Sequence, residues 1–536
     1  MFEPNTTVVP VARLGRVRAR PRTWTWRRSH AGALIGTCTA LLAAGTAIST
    51  AVPEAVAAPT LGAWTELTAN LPQPLGGTPA VLELPNGRAY VLWLSHPKGN
   101  KLVQTYYEAS LSPYGAVTAG PASIFGTNYW QGLSWQPTLV AAGSLPLVIF
   151  EGGRSTKKGD AYGADCVVGA LGPTVPWSLQ PWSLTNPCGV VPIGGATALK
   201  GGAFSAEQVF GNHLYFMLHQ EPGVPPSPKL PHSSSFALPY PTTAGHSAEL
   251  TDLGGSGDAF VAWSQIFAKG GDGLYVRDLS ANGPIMKAPG SGLQSAEVFF
   301  PVWGNLAFAG TNTHHGVFLA YCSNTPNCNV VLWRVGAPKA MTTPAVALNG
   351  PGQASSDMAI SAGPGGRLWL AWETAKNEAI SVVRTNEADT VFGPVRTYPT
   401  PCWGYSPLIG LGGGNWGRLD VAMQCTVTKP NIATKDFVTQ VMVPLAVSPT
   451  SANFDNLKAH SVTFKVTDVG DPVLGATVAI PGKGLKATTG PGGLATITFP
   501  AGMAAGHYTA IVAAANYLPA HATVVVTLPV LKKLGQ

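Results

Sequence analysis

Leu368-Trp369-Leu370-Ala371-Trp372-Glu373 is the stretch that decides the fold. It is a short apolar run, too brief for a helix and rich in the aromatic residues that strands favour. A turn containing glycine separates it from a preceding strand at 358–362. A polar loop leads from it to a following strand at 380–384. The same plan recurs around the runs 89–95, 147–151, 214–219, 259–264, 317–321 and 419–424.

The ends of these runs, Trp93, Phe150, Leu218, Trp263, Tyr321, Trp372 and Gln424, are separated by 45 to 68 residues. A strand-built unit repeating on that scale points to the blades of a β-propeller, each burying its apolar residues only by stacking on its neighbours. The fold class is therefore all-β, a propeller of seven blades with six as the alternative count. The third unit is the least regular, because residues 221–246 form a proline-rich insertion. Closure of such a ring requires its two ends to meet, and residues 64–67 are expected to supply the missing outer strand of the last blade.

Composition narrows the function. The chain has 536 residues and a formal net charge of +7. Seven arginines (Arg13, Arg16, Arg18, Arg20, Arg22, Arg27 and Arg28) stand against only Glu3 and Glu54 in the first 57 residues. The remainder carries 26 bases and 24 acids, so it has no field with which to collect phosphates and nucleic acid is not an expected partner. The basic start, the uncharged stretch 31–52 and Ala55-Val56-Ala57 read as a secretory signal, residues 1–57, cleaved after Ala57. The protein is thus expected to be extracellular, with no stable membrane span once the signal is removed.

Six cysteines remain beyond the leader. An even number in an exported chain suggests three disulfides, and the local repeat pairs Cys166 with Cys188, Cys322 with Cys328, and Cys402 with Cys425. No metal site is expected, since no Cys-x-x-Cys occurs and the His314-His315 pair has no ligand at a useful spacing. Gly412-Gly413-Gly414 opens a strand turn rather than a helix, so it is not a phosphate cradle, and no cofactor is expected.

The propeller is expected to span 58–445. After it, residues 446–530 lack Cys and Trp and read as alternating strands of a small sandwich, followed by a tail at 531–536. The stretch Val466-Thr-Asp-Val-Gly-Asp-Pro-Val-Leu-Gly-Ala-Thr-Val478, with Gly492-Gly493-Leu494-Ala495, Gly506-His-Tyr508 and Asn516-Tyr517, resembles carboxypeptidase regulatory-like and bacterial Ig-like modules. That resemblance implies a β-sandwich spacer or adhesion module without catalysis of its own.

Candidate ligand-facing residues lie in loops at one end of the units: Tyr129, Trp130, Trp135, Arg154, Trp403 and Tyr405. Flat aromatic faces stack on sugar rings with few rotors to freeze, although Trp and Tyr also plug gaps between blades. Glu151 and Glu373 are the candidate catalytic carboxylates for glycoside hydrolysis. The architecture resembles sialidase-type propellers, yet Gly255-Ser-Gly-Asp-Ala-Phe-Val-Ala-Trp263 departs from their aspartate-box turn and no arginine triad can be assigned. The expected function is binding of an extracellular glycan or surface protein, with a secreted glycoside hydrolase or lyase as the alternative.

Overall fold

The computed structural model describes residues within 63–529. The segments 100–102, 134–136, 156–166, 173–176, 180–191, 210–212, 221–232, 238–247, 253–258, 266–272, 293–307, 324–329, 345–357, 374–378, 403–407 and 429–431, with some shorter stretches, lie outside that description. So does the expected leader.

Seven four-stranded antiparallel sheets follow one another along the described chain. Sheet 1 comprises Ala80–Glu83, Ala89–Ser95, Thr105–Leu111 and Val117–Ser123; sheet 2 comprises Thr138–Ala142, Leu145–Glu151, Val167–Leu171 and Ser178–Leu179. Sheet 3 is Pro192–Leu199, Gly202–Val209, His213–Gln220 and Ser233–Ala237, and sheet 4 is Ala248–Asp252, Ala259–Gln265, Gly273–Asp278 and Ile285–Lys287. Sheet 5 contains Phe308–Thr313, Gly316–Cys322, Val330–Arg334 and Met341–Thr342, while sheet 6 contains Met358–Ala362, Leu368–Glu373, Ala379–Arg384 and Arg396–Pro399. Sheet 7 takes Leu408–Gly412, Arg418–Val427 and Ala433–Met442, and its fourth strand is Thr65–Glu66 from the other end of the chain. The first strand of each sheet packs beside the first strand of the next, and that of sheet 7 returns to sheet 1. This closed ring is a β-propeller.

The second strands explain why the sheets stack. Trp93, Phe150, Trp263, Tyr321 and Trp372 are fully buried, and alternate residues serve the two sheet interfaces. Along Leu368–Glu373, Leu368, Leu370 and Trp372 pack toward sheet 5, whereas Trp369 and Ala371 pack toward sheet 7. A strand buried on both faces needs this continuous apolar pattern. In sheet 3 the sequence reading is one strand out of step, because 206–209 belongs to the second strand and 214–219 to the third. Pro192-Ile-Gly-Gly-Ala-Thr-Ala-Leu199, the true first strand, lacks the bulky alternation that marks the others.

Two further sheets follow. Ala446–Ser448, His460–Asp468, Asp471–Pro472 and Leu494–Phe499 form one; Ser451–Asp455, Ala520–Thr527, Gly506–Ala513, Thr477–Ile480 and Leu485–Thr488 form the other. Phe464, Val466, Ile497 and Phe499 from the first share a core with Val478, Ile480, Val512, Val524 and Val526 from the second, so the layers meet face to face. This part is clamped to the ring. Asp468 accepts from both Arg367 and Arg384 of sheet 6 and from the Tyr517 hydroxyl at 2.8 Å. Arg367 also reaches Asp471 at 2.8 Å, and Arg384 lies over the rings of Trp369 and Tyr517. The Leu518 N–H donates to the Val443 carbonyl at 2.9 Å.

Candidate functional site

In an antiparallel ring of this kind, every second strand ends on the same rim. Ser95, Glu151, Val209, Gln265, Cys322, Glu373 and Val427 mark that rim. The first-strand ends and second-strand starts, including Glu83, Arg367 and Arg418, mark the opposite one, where Asp468 is docked. One rim is thus occupied in part by the chain itself, and the other carries the residues singled out from sequence.

At this second-strand rim, the connection from sheet 1 to sheet 2 pairs with the loop that leaves Glu151. Tyr129–Gln131 and Gly153–Ser155 form a two-stranded antiparallel ribbon with Tyr129 opposite Ser155, Trp130 opposite Arg154 and Gln131 opposite Gly153. Four of the expected site residues, Tyr129, Trp130, Glu151 and Arg154, are therefore gathered in one place by backbone pairing.

Trp130 plays a different part from the one expected. It is 0% exposed, stacked on Phe125 at 4.8 Å and edge-on to Phe150 at 5.2 Å between ring centroids. It cannot offer a face to a ligand. Its indole is instead the plug that bolts the ribbon to the core of sheets 1 and 2. Gln104 completes the bolt, since its main-chain N–H donates to the Trp130 carbonyl and its Oε1 accepts from the Leu133 N–H, both at 2.8 Å. Gly152 lets the two halves close, because a Cβ there would lie 2.6 Å from Leu133 Cδ2. Gly152→Ala is expected to cost about 1–3 kcal/mol through this overpacking, measured by urea unfolding of the variant against the parent.

Glu373 also departs from expectation. It is 2% exposed and follows Trp369 and Ala371 on the face toward sheet 7, so it is packed between sheets rather than presented at an open mouth. Glu151 and Glu373 end strands of sheets 2 and 6, with sheets 7 and 1 between them on the shorter way round. Trp135, Trp403 and Tyr405 lie outside the described residues. Cys402, which immediately precedes the segment with Trp403 and Tyr405, is disulfide-bonded to Cys425 of the second strand of sheet 7, with Cα atoms 5.6 Å apart. Cys322 is disulfide-bonded too. Its expected partner Cys328 lies outside the described residues, as do Cys166 and Cys188.

Sequence reasoning missed the buried polar groups at the closing end of this rim. The Gln424 amide donates to Asp436 Oδ1 at 3.0 Å, and its Oε1 accepts from the Gly77 N–H at 3.0 Å. Burial pushes the Asp436 carboxyl well above its usual range, and the Asp436 main-chain N–H donates to the Thr68 hydroxyl at 3.2 Å, which ties the network to the closing segment. Gln104 had no sequence signal at all, whereas the Gly152-Gly153 doublet beside Glu151 was a readable hint of close packing.

Among the described residues, no three His, Cys, Asp or Glu side chains gather as a metal-ligand cluster. No described helix is long and apolar enough to cross a membrane.

No protein-family profile and no curated protein matches the chain. Similar solved structures include the polysaccharide lyase Uly1, with 11% identity over 68% of this chain and 90% of that one, at a TM-score of 0.36. An exo-β-1,3-galactanase from Phanerochaete chrysosporium is 11% identical over 84% of this chain and 97% of its own, at 0.24. An α-L-arabinofuranosidase from Clostridium thermocellum is 13% identical over 60% and 93% respectively, at 0.26. The roles of residues in this chain rest on its own geometry.

Proposed function

We propose that the protein is exported and handles an extracellular polysaccharide at the second-strand rim, binding it through the ribbon formed by Tyr129–Gln131 and Gly153–Ser155. The observation that supports this reading is the pairing of those two segments, which brings the backbone of Tyr129 and Arg154 to the same rim as the strand end at Glu151. An arginine donates to several sugar oxygens at once, and a tyrosine adds a flat face with a polar tip. The two face-packed sheets after residue 445 would serve as an Ig-like, carboxypeptidase regulatory-like module that carries the ring outside the cell.

A second reading keeps the same site and adds bond cleavage, as a glycoside hydrolase or lyase. It is favoured by the position of Glu151, a rim carboxylate three residues before Arg154 in the same strand-to-ribbon run. The solved enzymes above are named for acting on glycans, which is a statement about them.

A panel of neutral and acidic polysaccharides, read both for retention of the protein and for released reducing or unsaturated ends, separates the readings. Retention without products, weakened by at least about tenfold in Arg154→Ala, is the expected result. Products that vanish in Glu151→Gln would establish the enzyme instead. Neither retention nor products would remove the glycan reading and leave a surface protein as the ligand.

A further inference from the structure

The joint between sheets 7 and 1 differs in kind from the joint between sheets 6 and 7. The latter is filled by Trp369, Ala371, Ile380, Val382, Leu419, Val421 and Met423. Between sheets 7 and 1 the strand Arg418–Val427 instead turns Arg418, Asp420, Ala422 and Gln424 toward Glu83, Val81 and Trp93. Glu83, Arg418 and Asp420 have side chains no more than 1% exposed.

One guanidinium faces two carboxyls: Arg418 donates to Glu83 Oε1 and stands 3.6 Å from Asp420 Oδ2. The remaining Arg418 contacts are carbonyls, those of Pro113 and Gly87. Gln440, from the strand Ala433–Met442, donates to Asp420 Oδ1 at 2.7 Å but brings no charge. Asp420 Oδ2 is buried without a hydrogen-bond partner, and the only other donor to the Glu83 carboxyl among the described residues is the uncharged Gly414 N–H. Of the other titratable groups, Tyr107 packs on the sheet 7 side within the apolar cluster. Glu108 belongs to the opposite side of its strand, where Arg88 acts on it. Asp436 lies four residues along the strand from Gln440, roughly 13 Å at strand spacing. Lys435 is spent on Glu66 at 2.8 Å. With both carboxyls ionised, the joint would hold a net buried negative charge, which is costly where side chains no more than 1% exposed have one guanidinium between them.

We propose that this joint is a proton-operated latch: Glu83 and Asp420 share one proton beside Arg418, and loss of that proton loosens the closure held by Thr65–Glu66. The closing strand is short: its ladder pairs Thr65 with Val438 and Glu66 with Phe437, and it is extended by the Leu67 N–H donating to the Asp436 carbonyl at 2.8 Å and the Thr439 hydroxyl donating to the Ala63 carbonyl at 3.0 Å. Burial, then the neighbouring Asp420 charge, raises Glu83 to about 8, and burial raises Asp420 to about 6. Because both values are raised on folding, their contribution to stability is full below the ordinary carboxyl range. It is lost as pH rises through about 6 and then about 8.

Hydrogen exchange of the full chain at about pH 6 and about pH 9, corrected for intrinsic rates, reads the latch directly. Protection of peptides covering 63–71 and 433–442 is expected to fall by at least about tenfold at the higher pH, while Leu368–Glu373 is unchanged. Glu83→Gln should abolish the difference. Equal protection at both pH values, or the same loss in Glu83→Gln, would overturn the proposal. Should that variant not fold, the protonated-carboxyl infrared band of the unaltered protein decides. A loss of about one carboxyl's intensity between about pH 7 and about pH 9 supports the shared proton, and a constant band refutes it.

Discussion

Gly410→Val is expected to prevent the ring from closing, with a loss of more than about 4 kcal/mol or failure to fold. A Cβ at Gly410 would lie 1.9 Å from the Pro79 carbonyl oxygen, and backbone cannot swing aside as a side chain can. The same strand edge meets sheet 1 at Gly412, 2.7 Å from Val81 Cγ1, and at Gly414, 2.9 Å from the Glu83 carbonyl oxygen and Cβ. Alternate glycines thus leave no side chain of sheet 7 at this contact, and the Pro79 backbone and the Val81 and Glu83 side chains of sheet 1 fill the space. Gly76→Ala is the control, because its Cβ meets nothing within 4 Å. Circular dichroism and urea unfolding should find that variant unchanged and Gly410→Val unfolded; a stable Gly410→Val would mean that sheets 7 and 1 are not in contact.

Asp468→Ala is expected to cost about 3–5 kcal/mol, since it strips the carboxylate from two arginines that are 2% and 3% exposed. Arg384 feels this most. Burial already pulls its guanidinium down to about 10, whereas Arg367 keeps Asp471 at 2.8 Å and Glu387 at 3.3 Å. Calorimetry should show the single transition of the parent separating into two, as the face-packed sheets after residue 445 unfold apart from the ring. One unshifted transition would show that Asp468 is not what joins them.

The second strands were legible because each is a short apolar run that meets two neighbouring sheets, and no surface strand has that pattern. Residues 64–67 were legible as the closing strand by counting strands. Sheet 3 was misread because Pro192–Leu199 is built from Gly, Ala and Thr and hides its periodicity. The arginines at strand starts were visible, but not their purpose. Arg367 and Asp468 are 101 residues apart, and no local pattern connects them. Gly412-Gly413-Gly414 was read as a turn, whereas Gly412 and its neighbour Gly410 also mark a close approach of strands.

The candidate site was legible as a set of residue types and illegible as an arrangement. Tyr129 and Trp130 looked equivalent, yet Trp130 is consumed by the core, and only the pairing with Arg154 shows where the ribbon stands. Glu373 resembled Glu151 in ending its strand. Its position on the face toward sheet 7, which no single-strand pattern reveals, removes it from the open rim.

Hydrogen exchange of the full chain with and without a soluble polysaccharide that it retains tests the central claim most directly. Slowed exchange confined to peptides covering 129–131 and 151–155 on the second-strand rim is the predicted result. Protection instead on the outer faces of the sheets after residue 445, with the ribbon unchanged, would contradict it.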